Sequence, residues 1–373
     1  MPCVNAQNMP PMLSVTTGTA VDVGQPKLFY SLSALLIAYR QCFSVSAWKY
    51  SSQCFESTKF LRLQQLSEAL QNRTLEISPY KYFYTSERGV LRRIQASVIQ
   101  DRIFFRSLND NVVLPAISKY LIYDNYASIK NRGLSRARKR MLTMLHKFYR
   151  ATGSNDGYIL QIDFRHYFDS IPHDKAIKLL CAYVKEKLAQ YYLDASVNSY
   201  NGDCGVGLGS PIAQSVGIMY PMAMDNYLKI RCRVKYYGRY MDDLFIIHKN
   251  RAYLLAVLKV VTKFAEALGL IINMRKTKIT KLSHGFVYLK THYRLSLTGK
   301  VFYTPCSETF RRERRKLKGM YRLYKRHSLR LFDIINSYKS WRGNLAKFYK
   351  SAVAHRLFIV DRFFYRLYGV NPV

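Results

Sequence analysis

Between Leu28 and Leu75 apolar residues recur at helical spacing, with Leu32, Leu35, Leu36 and Tyr39 on one face. The pattern turns extended at Tyr80–Tyr84 and breaks at Glu87-Arg88-Gly89. A basic segment from Arg92-Arg93-Ile94 then runs into Asp101-Arg102-Ile103. Leu134, Ala137, Met141, Leu145 and Phe148 share one face of a further helix, which stops before a Gly153–Gly157 turn. Tyr158–Asp163 is a short, mostly apolar strand ending in a carboxylate. A helix is expected over His173–Gln190, a loop over Gly202–Gly209, and another helix from Pro211, a favoured first-turn residue, to about Leu228. Val234–Tyr240 and Leu244–His248 are extended runs joined by Met241-Asp242, a hairpin pattern. Ala252–Leu268 is amphipathic, and Gly269 suits a C-cap. Strand-like pieces at Thr277–Thr280 and Gly285–Leu289 precede a hairpin that turns at Thr298-Gly299. Beyond Pro305 the pattern is helical again. Leu317, Tyr321 and Tyr324 stripe the basic run Arg311–Arg330, followed by apolar faces at Ile334, Ile335, Tyr338, Trp341 and at Leu345, Phe348, Tyr349, Ala352. Residues 1–27 show neither period and read as a loose arm. The fold class expected is α/β (α+β), with boundaries near 150 and 305.

A length of 373 residues suits two or three packed subdomains, and 49% hydrophobic with 14% aromatic content argues for a folded core. Charge changes the picture more. There are 59 Lys and Arg against 23 Asp and Glu, a net of +36. Such an excess points to a polyanionic partner, because each cation set against a phosphate releases a condensed counterion. The longest apolar stretches are far too short to span a bilayer, so an acidic membrane is the weaker polyanion. No signal peptide is expected either. Seven cysteines lie scattered with no zinc or disulfide spacing, which fits a reducing cytoplasm.

Candidate chemistry centres on Asp242-Asp243. Successive side chains of a strand point to opposite faces, so a tight turn is needed to aim both carboxylates usefully. Side-by-side carboxylates repel, and a divalent cation relieves them. An isolated Asp-Asp pair is most often a solvated turn. This one is flanked by Tyr236-Tyr237 and Leu244-Phe245-Ile246-Ile247, which sets it at the edge of a core. With Asp163 on a neighbouring strand, the group could bridge two Mg²⁺ ions roughly 3.5–4 Å apart, the separation used for in-line displacement at phosphorus.

Five motifs in order carry a family resemblance. Tyr240-Met241-Asp242-Asp243 resembles the YxDD box of reverse transcriptases, and Leu160–His173 (LQIDFRHYFDSIPH) resembles their first carboxylate motif. Gly207–Asp225 (GLGSPIAQSVGIMYPMAMD) is similar to the template- and nucleotide-positioning loop and helix. Leu268–Ile279 (LGLIINMRKTKI) is similar to the lysine-bearing motif that follows, and Gly285–Leu289 to the primer grip. Upstream, Arg92–Arg106 and Tyr123–Gly133 resemble the fingers motifs of group II intron, retron and related bacterial enzymes, and Ile335–Leu357 their thumb helices. The resemblance covers roughly residues 80–357. It is nearest to stand-alone defence-associated and diversity-generating bacterial lineages.

The resemblance implies a right-hand polymerase: an arm over 1–27, fingers over 28–150, a palm over 151–305 and a basic helical thumb over 306–373. It implies RNA-directed DNA synthesis from dNTPs with two Mg²⁺ ions, Mn²⁺ being a substitute. Asp163 and Asp242 would be the principal metal ligands, with Asp243 and the Phe164 carbonyl secondary. Lys276 would protonate pyrophosphate. Phe168 stands at the steric-gate position, where a ring under the sugar rejects a 2′-hydroxyl. Arg93, Arg102 and Gln214 would meet the dNTP, with Arg92 and Arg106 as neighbouring alternatives. Phe286, Tyr288 and Leu289 would form the primer grip. Arg311, Arg312, Arg314, Arg315, Lys316, Lys318, Tyr321 and Arg322 would hold nucleic acid, since the run carries few compensating acids.

The chain departs from the family pattern in places. Leu208-Gly209 replaces the frequent Gln-Gly, which bears on template gripping and fidelity. Ala213-Gln214 replaces Ser-Pro, and Lys290 follows Leu289 where glycine is usual. Expected partners are a template RNA, of the cognate structured non-coding kind, and nascent DNA, with room for an oligomer or a second protein subunit and no membrane. The setting expected is the cytoplasm of a bacterium, with the gene bacterial or phage-encoded and a role in antiviral defence; a diversity-generating or retron enzyme is the alternative. Two rivals come from other classes. An RNA-directed RNA polymerase is opposed by Phe168, and a catalytically retired RNA-binding scaffold by the intact Asp163, Asp242, Asp243 and Lys276.

Overall fold

Ser31 opens the first helix by accepting the Ala34 N–H on its hydroxyl at 3.3 Å, one of the orphan donors of a helix start. The computed structural model describes residues 28–87, 90–207 and 209–372. The predicted arm over 1–27, the Arg88-Gly89 turn and Leu208 lie outside them, as do the side chains of Glu87, Val90 and Arg92. The helical stretch expected from residue 28 to 75 is three helices, α1 (Leu32–Ser44), α2 (Tyr50–Ser57) and α3 (Lys59–Gln71), the last two separated by Thr58. The extended segment is a hairpin of β1 (Lys81–Glu87) and β2 (Val90–Ala96), paired from Lys81↔Ala96 to Glu87↔Val90.

Helix α4 (Ile99–Leu108) continues through a π-turn at Asn109–Val113 into α5 (Leu114–Ser118). Pro115 has no N–H to give and stands just past that wider turn. From the sequence this stretch reads only as a basic segment, because Arg102, Arg106 and Asp110 make a narrow polar stripe beside the buried Ile103, Phe104, Phe105 and Leu108. The rings of Phe29 and Phe104 pack edge-on against Tyr192, with centroids 6.2 and 5.2 Å away.

The next elements are α6 (Leu134–Thr152), β3 (Tyr158–Arg165), α7 (His173–Tyr183) and α8 (Lys187–Asn198). The single helix expected over 173–190 is therefore two. Val184 and Glu186 are extended, and Gln190 Nε2 donates to the Cys181 and Val184 carbonyls at 3.2 and 2.8 Å across the break. Pro211 begins α9 (Pro211–Met219). Pro221 separates it from α10 (Met222–Asn226), which ends in a π-turn at Tyr227–Arg231. Then come β4 (Tyr236–Tyr240), β5 (Asp243–His248), α11 (Arg251–Leu268), β6 (Ile271–Ile272), β7 (Lys278–Lys281), β8 (Phe286–Tyr288), β9 (Thr291–Leu295) and β10 (Val301–Pro305). Helices α12 (Ser307–Lys325), α13 (Leu331–Tyr349) and α14 (Ala354–Tyr368) complete the chain.

The main sheet runs β4-β5-β3-β6, and β7 also pairs with β3. Among the described residues the chain divides into two interleaved compact units. One takes in described residues of 28–128, 162–244 and 255–277; the other those of 129–161, 245–254 and 278–372. The linear boundaries at 150 and 305 follow a different division. In the second unit, Leu317, Ile334, Tyr338, Val353, Leu357 and Phe364 form a bundle core, and Asp361 accepts from the Tyr338 hydroxyl and the Arg342 guanidinium. No helix among the described residues is long and apolar enough to cross a membrane. No disulfide joins the six described cysteines.

Strands β8 and β9 form a tight hairpin closed by Tyr288↔Thr291, so Leu289 and Lys290 are its two turn residues. Both have positive φ, +44° and +61°, a turn geometry that favours Asn-Gly. Lys290 thus carries a strain that glycine would not. Lys290→Gly should be stabilising by up to about 1 kcal/mol, whereas Lys290→Val should cost about 1–2 kcal/mol. Denaturant midpoints of the two variants check the sign of each change.

Candidate active site

Asp163 lies where β3 changes partners. β6 pairs with it at Phe164↔Ile272 and Arg165↔Ile271, and β7 takes over at Gln161↔Lys278. Residues 273–277 therefore bulge opposite Ile162 and Asp163. The bulge is a turn, since the Lys276 and Thr277 N–H groups both donate to the Asn273 carbonyl at 3.0 and 2.9 Å. The Asn273 N–H donates to the Asp163 carbonyl at 2.8 Å, and its side-chain amide reaches Asp163 Oδ1 at 3.4 Å. Lys276 Nζ contacts both carboxylate oxygens, at 2.8 and 3.2 Å. The hydrogen bond to Asp163 holds the lysine's pKa above its ordinary value. Asn273 lies inside the lysine-bearing motif, where sequence reasoning gives it no role. Its signal is a turn-forming residue directly after a β-branched pair.

Asp242 and Asp243 stand on the β4–β5 turn. Met241 adopts φ +55°, the left-handed conformation that lets two strands reverse within two residues. Burial, then the charges of Asp242 and Asp163, push the Asp243 carboxyl up to about 7, and Lys276 acts against them. Asp163, Asp242, Asp243 and Lys276 are thus within electrostatic reach of one another. They are not gathered as a ready cage: among the described residues no three His, Cys, Asp or Glu side chains stand together as a metal-binding group. The Lys276 ammonium takes the Asp163 oxygens instead. The donor chemistry still fits a hard divalent cation, which prefers carboxylate oxygen and would relieve the repulsion that raises Asp243.

Phe168 sits on a short 3₁₀ turn, Phe168–Ser170, after β3. Its ring meets Tyr167 edge-on at 5.4 Å and lies over Gly217 of α9, where an added Cβ would stand 2.9 Å from the ring. The Tyr167 hydroxyl donates to the Gly217 carbonyl at 2.6 Å, which fixes the segment against α9. The Phe168 carbonyl accepts the Val206 N–H at 3.0 Å, and the Ile171 carbonyl accepts that of Gly205 at 2.8 Å. Those bonds bring the 204–207 loop beside Asp169. Together with Arg93, Gln95, Tyr200 and Asn201 they line a recess of about 200 Å³. Arg93 stacks its guanidinium on Tyr82 at 4.0 Å and faces this recess. Gln214 is exposed and accepts from the Ser128 hydroxyl at 3.3 Å.

Arg102, on α4, is directed at Ser46, to whose hydroxyl it donates at 3.3 Å. Arg106, the other finger cation, is bound to Asp110 at 2.7 Å. In the second unit, Phe286 stacks on Tyr293 and Tyr288 meets Phe245 edge-on, both buried, and the Leu289 carbonyl accepts from Arg138 at 3.2 Å. On α12, Arg312, Arg315, Lys318 and Arg322 are exposed, while Arg314 is half-buried. Arg311 and Arg315 share Glu308 at 3.1 and 3.6 Å, and Lys316 bonds the Ser337 hydroxyl at 2.7 Å. Tyr321, expected to stack on a nucleic acid, packs edge-on against Tyr368 and contributes to the bundle.

The raised Asp243 pKa has a consequence for stability. A carboxyl whose folded pKa exceeds its unfolded value favours folding at low pH, and that advantage is lost as pH rises from about 4 through 7. Asp243→Asn should therefore stabilise the metal-free protein increasingly over that window, by about 2–4 kcal/mol at pH 8. Melting curves of both proteins in chelator across pH 5–8 check it; a constant difference contradicts the coupling.

A family model described as "Reverse transcriptase (RNA-dependent DNA polymerase)" matches residues 96–293. No curated protein matches the chain. The matched span takes in β3, the start of α9, the β4–β5 turn, the Asn273–Thr277 bulge and the β8–β9 turn, and it covers more than half of the sequence. The chain belongs to the reverse transcriptase family and is an RNA-directed DNA polymerase.

Proposed function

We propose that this reverse transcriptase extends a primer with dNTPs on a cognate structured non-coding RNA, using two Mg²⁺ ions held by Asp163, Asp242, Asp243 and the Phe164 carbonyl, with Mn²⁺ as a substitute. The observation that carries the reading is the electrostatic coupling of Asp163, Asp242 and Asp243 to one another and to Lys276. Acids on and beside the neighbouring strands β3 and β5 repel each other, and a cation-dependent reaction gives that repulsion a use. Bound there, the ions would acidify the primer 3′-hydroxyl and neutralise the departing pyrophosphate.

The chain's own groups supply the rest. Lys276, exposed and hydrogen-bonded to Asp163, is placed to give a proton to the leaving pyrophosphate once that carboxylate is otherwise engaged. Phe168 would sit under the sugar and exclude a 2′-hydroxyl, which favours dNTPs over ribonucleotides. Arg93 would meet the triphosphate, an assignment supported by the recess it shares with the loop bonded to Phe168. Arg102 has weaker support, being turned to Ser46. In this reading residues 28–150 act as fingers, 151–305 as palm and 306–373 as thumb. The exposed cations of α12 would track a phosphate backbone. For the setting we infer a stand-alone bacterial or phage-encoded enzyme of antiviral defence, from the Gly209-x-x-x-Ala213-Gln214 form. A diversity-generating or retron role is the alternative.

Asp242→Asn should reduce primer extension on an RNA template by roughly a thousandfold or more while leaving RNA binding intact. Unchanged extension would mean that a retired scaffold, not this centre, is the right reading. Replacing Arg312, Arg315, Lys318 and Arg322 by alanine should flatten the salt dependence of RNA affinity. The slope of log K against log salt should fall by about 0.7–0.9 for each phosphate no longer neutralised. Filter binding at several salt concentrations measures it, and an unaltered slope would remove α12 from the interface.

A further inference from the structure

Behind the Tyr240–Asp243 turn lies a buried ion pair that none of the assignments above uses. The side chains of Arg239 and Asp225 are both wholly inaccessible. Arg239 Nε lies 3.0 and 2.9 Å from the two Asp225 oxygens and Nη2 lies 2.7 Å from Oδ2, while the Tyr237 hydroxyl donates to Oδ1. Stability alone is a weak reason for such a pair, because stripping water from two charges offsets most of their attraction.

The other bonds of Arg239 point to a reason. Nη1 donates to the Met241 carbonyl at 3.0 Å, and Nη2 to the Ile218 carbonyl at 2.6 Å; Gly217 O lies 3.5 Å from Nη1. Its own N–H donates to Asp124 O, and its carbonyl accepts the Tyr126 N–H, both at 3.0 Å, so the residue is fixed at the backbone as well. Met241 holds a left-handed conformation that a non-glycine residue keeps only when its surroundings impose it. Gly217 is the floor beneath Phe168, and its carbonyl also takes the Tyr167 hydroxyl. One guanidinium therefore bonds the turn that carries Asp242 and the helix that supports Phe168.

We propose that Arg239, oriented by Asp225, is a positioning residue that locks the catalytic turn and the floor of the sugar site into one rigid piece. Carboxylate placement and rejection of the 2′-hydroxyl are then set together. The proposal rests on the reading of Phe168 as the sugar gate. Lysine cannot replace the arginine. A single ammonium lacks the planar fork needed to reach Asp225, Ile218 O and Met241 O at once. Loosening either end should move both properties, since small displacements of reacting groups are costly in rate.

The test uses the full chain with Arg239→Lys, Asp225→Asn and the milder Tyr237→Phe, which removes one hydroxyl and serves should the first two fail to fold. Single-nucleotide incorporation of a dNTP and the matching rNTP is measured for each, with Phe168→Ala as comparator and circular dichroism as the check on folding. Arg239→Lys and Asp225→Asn should lower kcat for the dNTP by about tenfold to a hundredfold. They should also shift the dNTP-to-rNTP efficiency ratio by roughly threefold or more, in the direction of Phe168→Ala. Tyr237→Phe should shift the ratio the same way to a smaller extent. An equal loss on both nucleotides, with ratio and KM unchanged, would make the pair a folding element only and overturn the proposal. Wild-type kinetics in the folded variants would overturn it too. If Arg239→Lys moves the ratio and Phe168→Ala does not, the gate reading fails while the positioning role stands.

Discussion

The burial of Asp243 beside the charges of Asp242 and Asp163 is the constraint around which this centre is built. Burial first, and then the neighbouring charges of Asp242 and Asp163, raise the cost of ionising Asp243, while Lys276, hydrogen-bonded to Asp163, acts against them. A lysine on Asp163 is a compromise that a flexible four-carbon stem can release. A rigid arginine there would neutralise the carboxylate permanently and leave nothing for an incoming ion. The arginine of this region is instead placed behind the turn, wholly buried against Asp225, where permanence is useful.

Local backbone features put the acids where they are. The change of partner along β3, from β7 to β6, opens a gap just opposite Asp163, and a five-residue turn fills it with Asn273 and Lys276. Met241 takes a left-handed conformation so that Asp242 and Asp243 follow within three residues of β4. The absence of a side chain at Gly217 lets Phe168 lie on α9, since a Cβ would intrude on the ring. Each device is a departure from regular strand or helix, and such departures cluster where function needs a side chain aimed in an unusual direction.

Much of this could be read from the chain, for identifiable reasons. Asp242-Asp243 was visible because charged residues between two apolar runs violate the strand pattern, and the amphipathic α6 and α11 were visible because each keeps one polar face. Helix α4 is hard to read in the sequence, because Arg102, Arg106 and Asp110 give it only a narrow polar stripe beside Ile103, Phe104, Phe105 and Leu108. The break between α7 and α8 has no Gly or Pro to mark it in the sequence, only a Gln190 amide that satisfies the Cys181 and Val184 carbonyls. Arg239 looked like one more cation in a basic protein. Its partner lies fourteen residues away on another element, and only the folded chain brings the two together. Tyr321, which reads as a stacking site because it stands among arginines, also packs edge-on against Tyr368 while staying half-buried.

The most direct test of the central claim is anomalous diffraction from crystals of the chain bound to an RNA template, a DNA primer and a dNTP in Mn²⁺. The account predicts two peaks roughly 3.5–4 Å apart between Asp163 and Asp242, with Lys276 withdrawn from the Asp163 oxygens. Density for metal elsewhere, with Lys276 still seated on Asp163 in a complex that turns over, would contradict it.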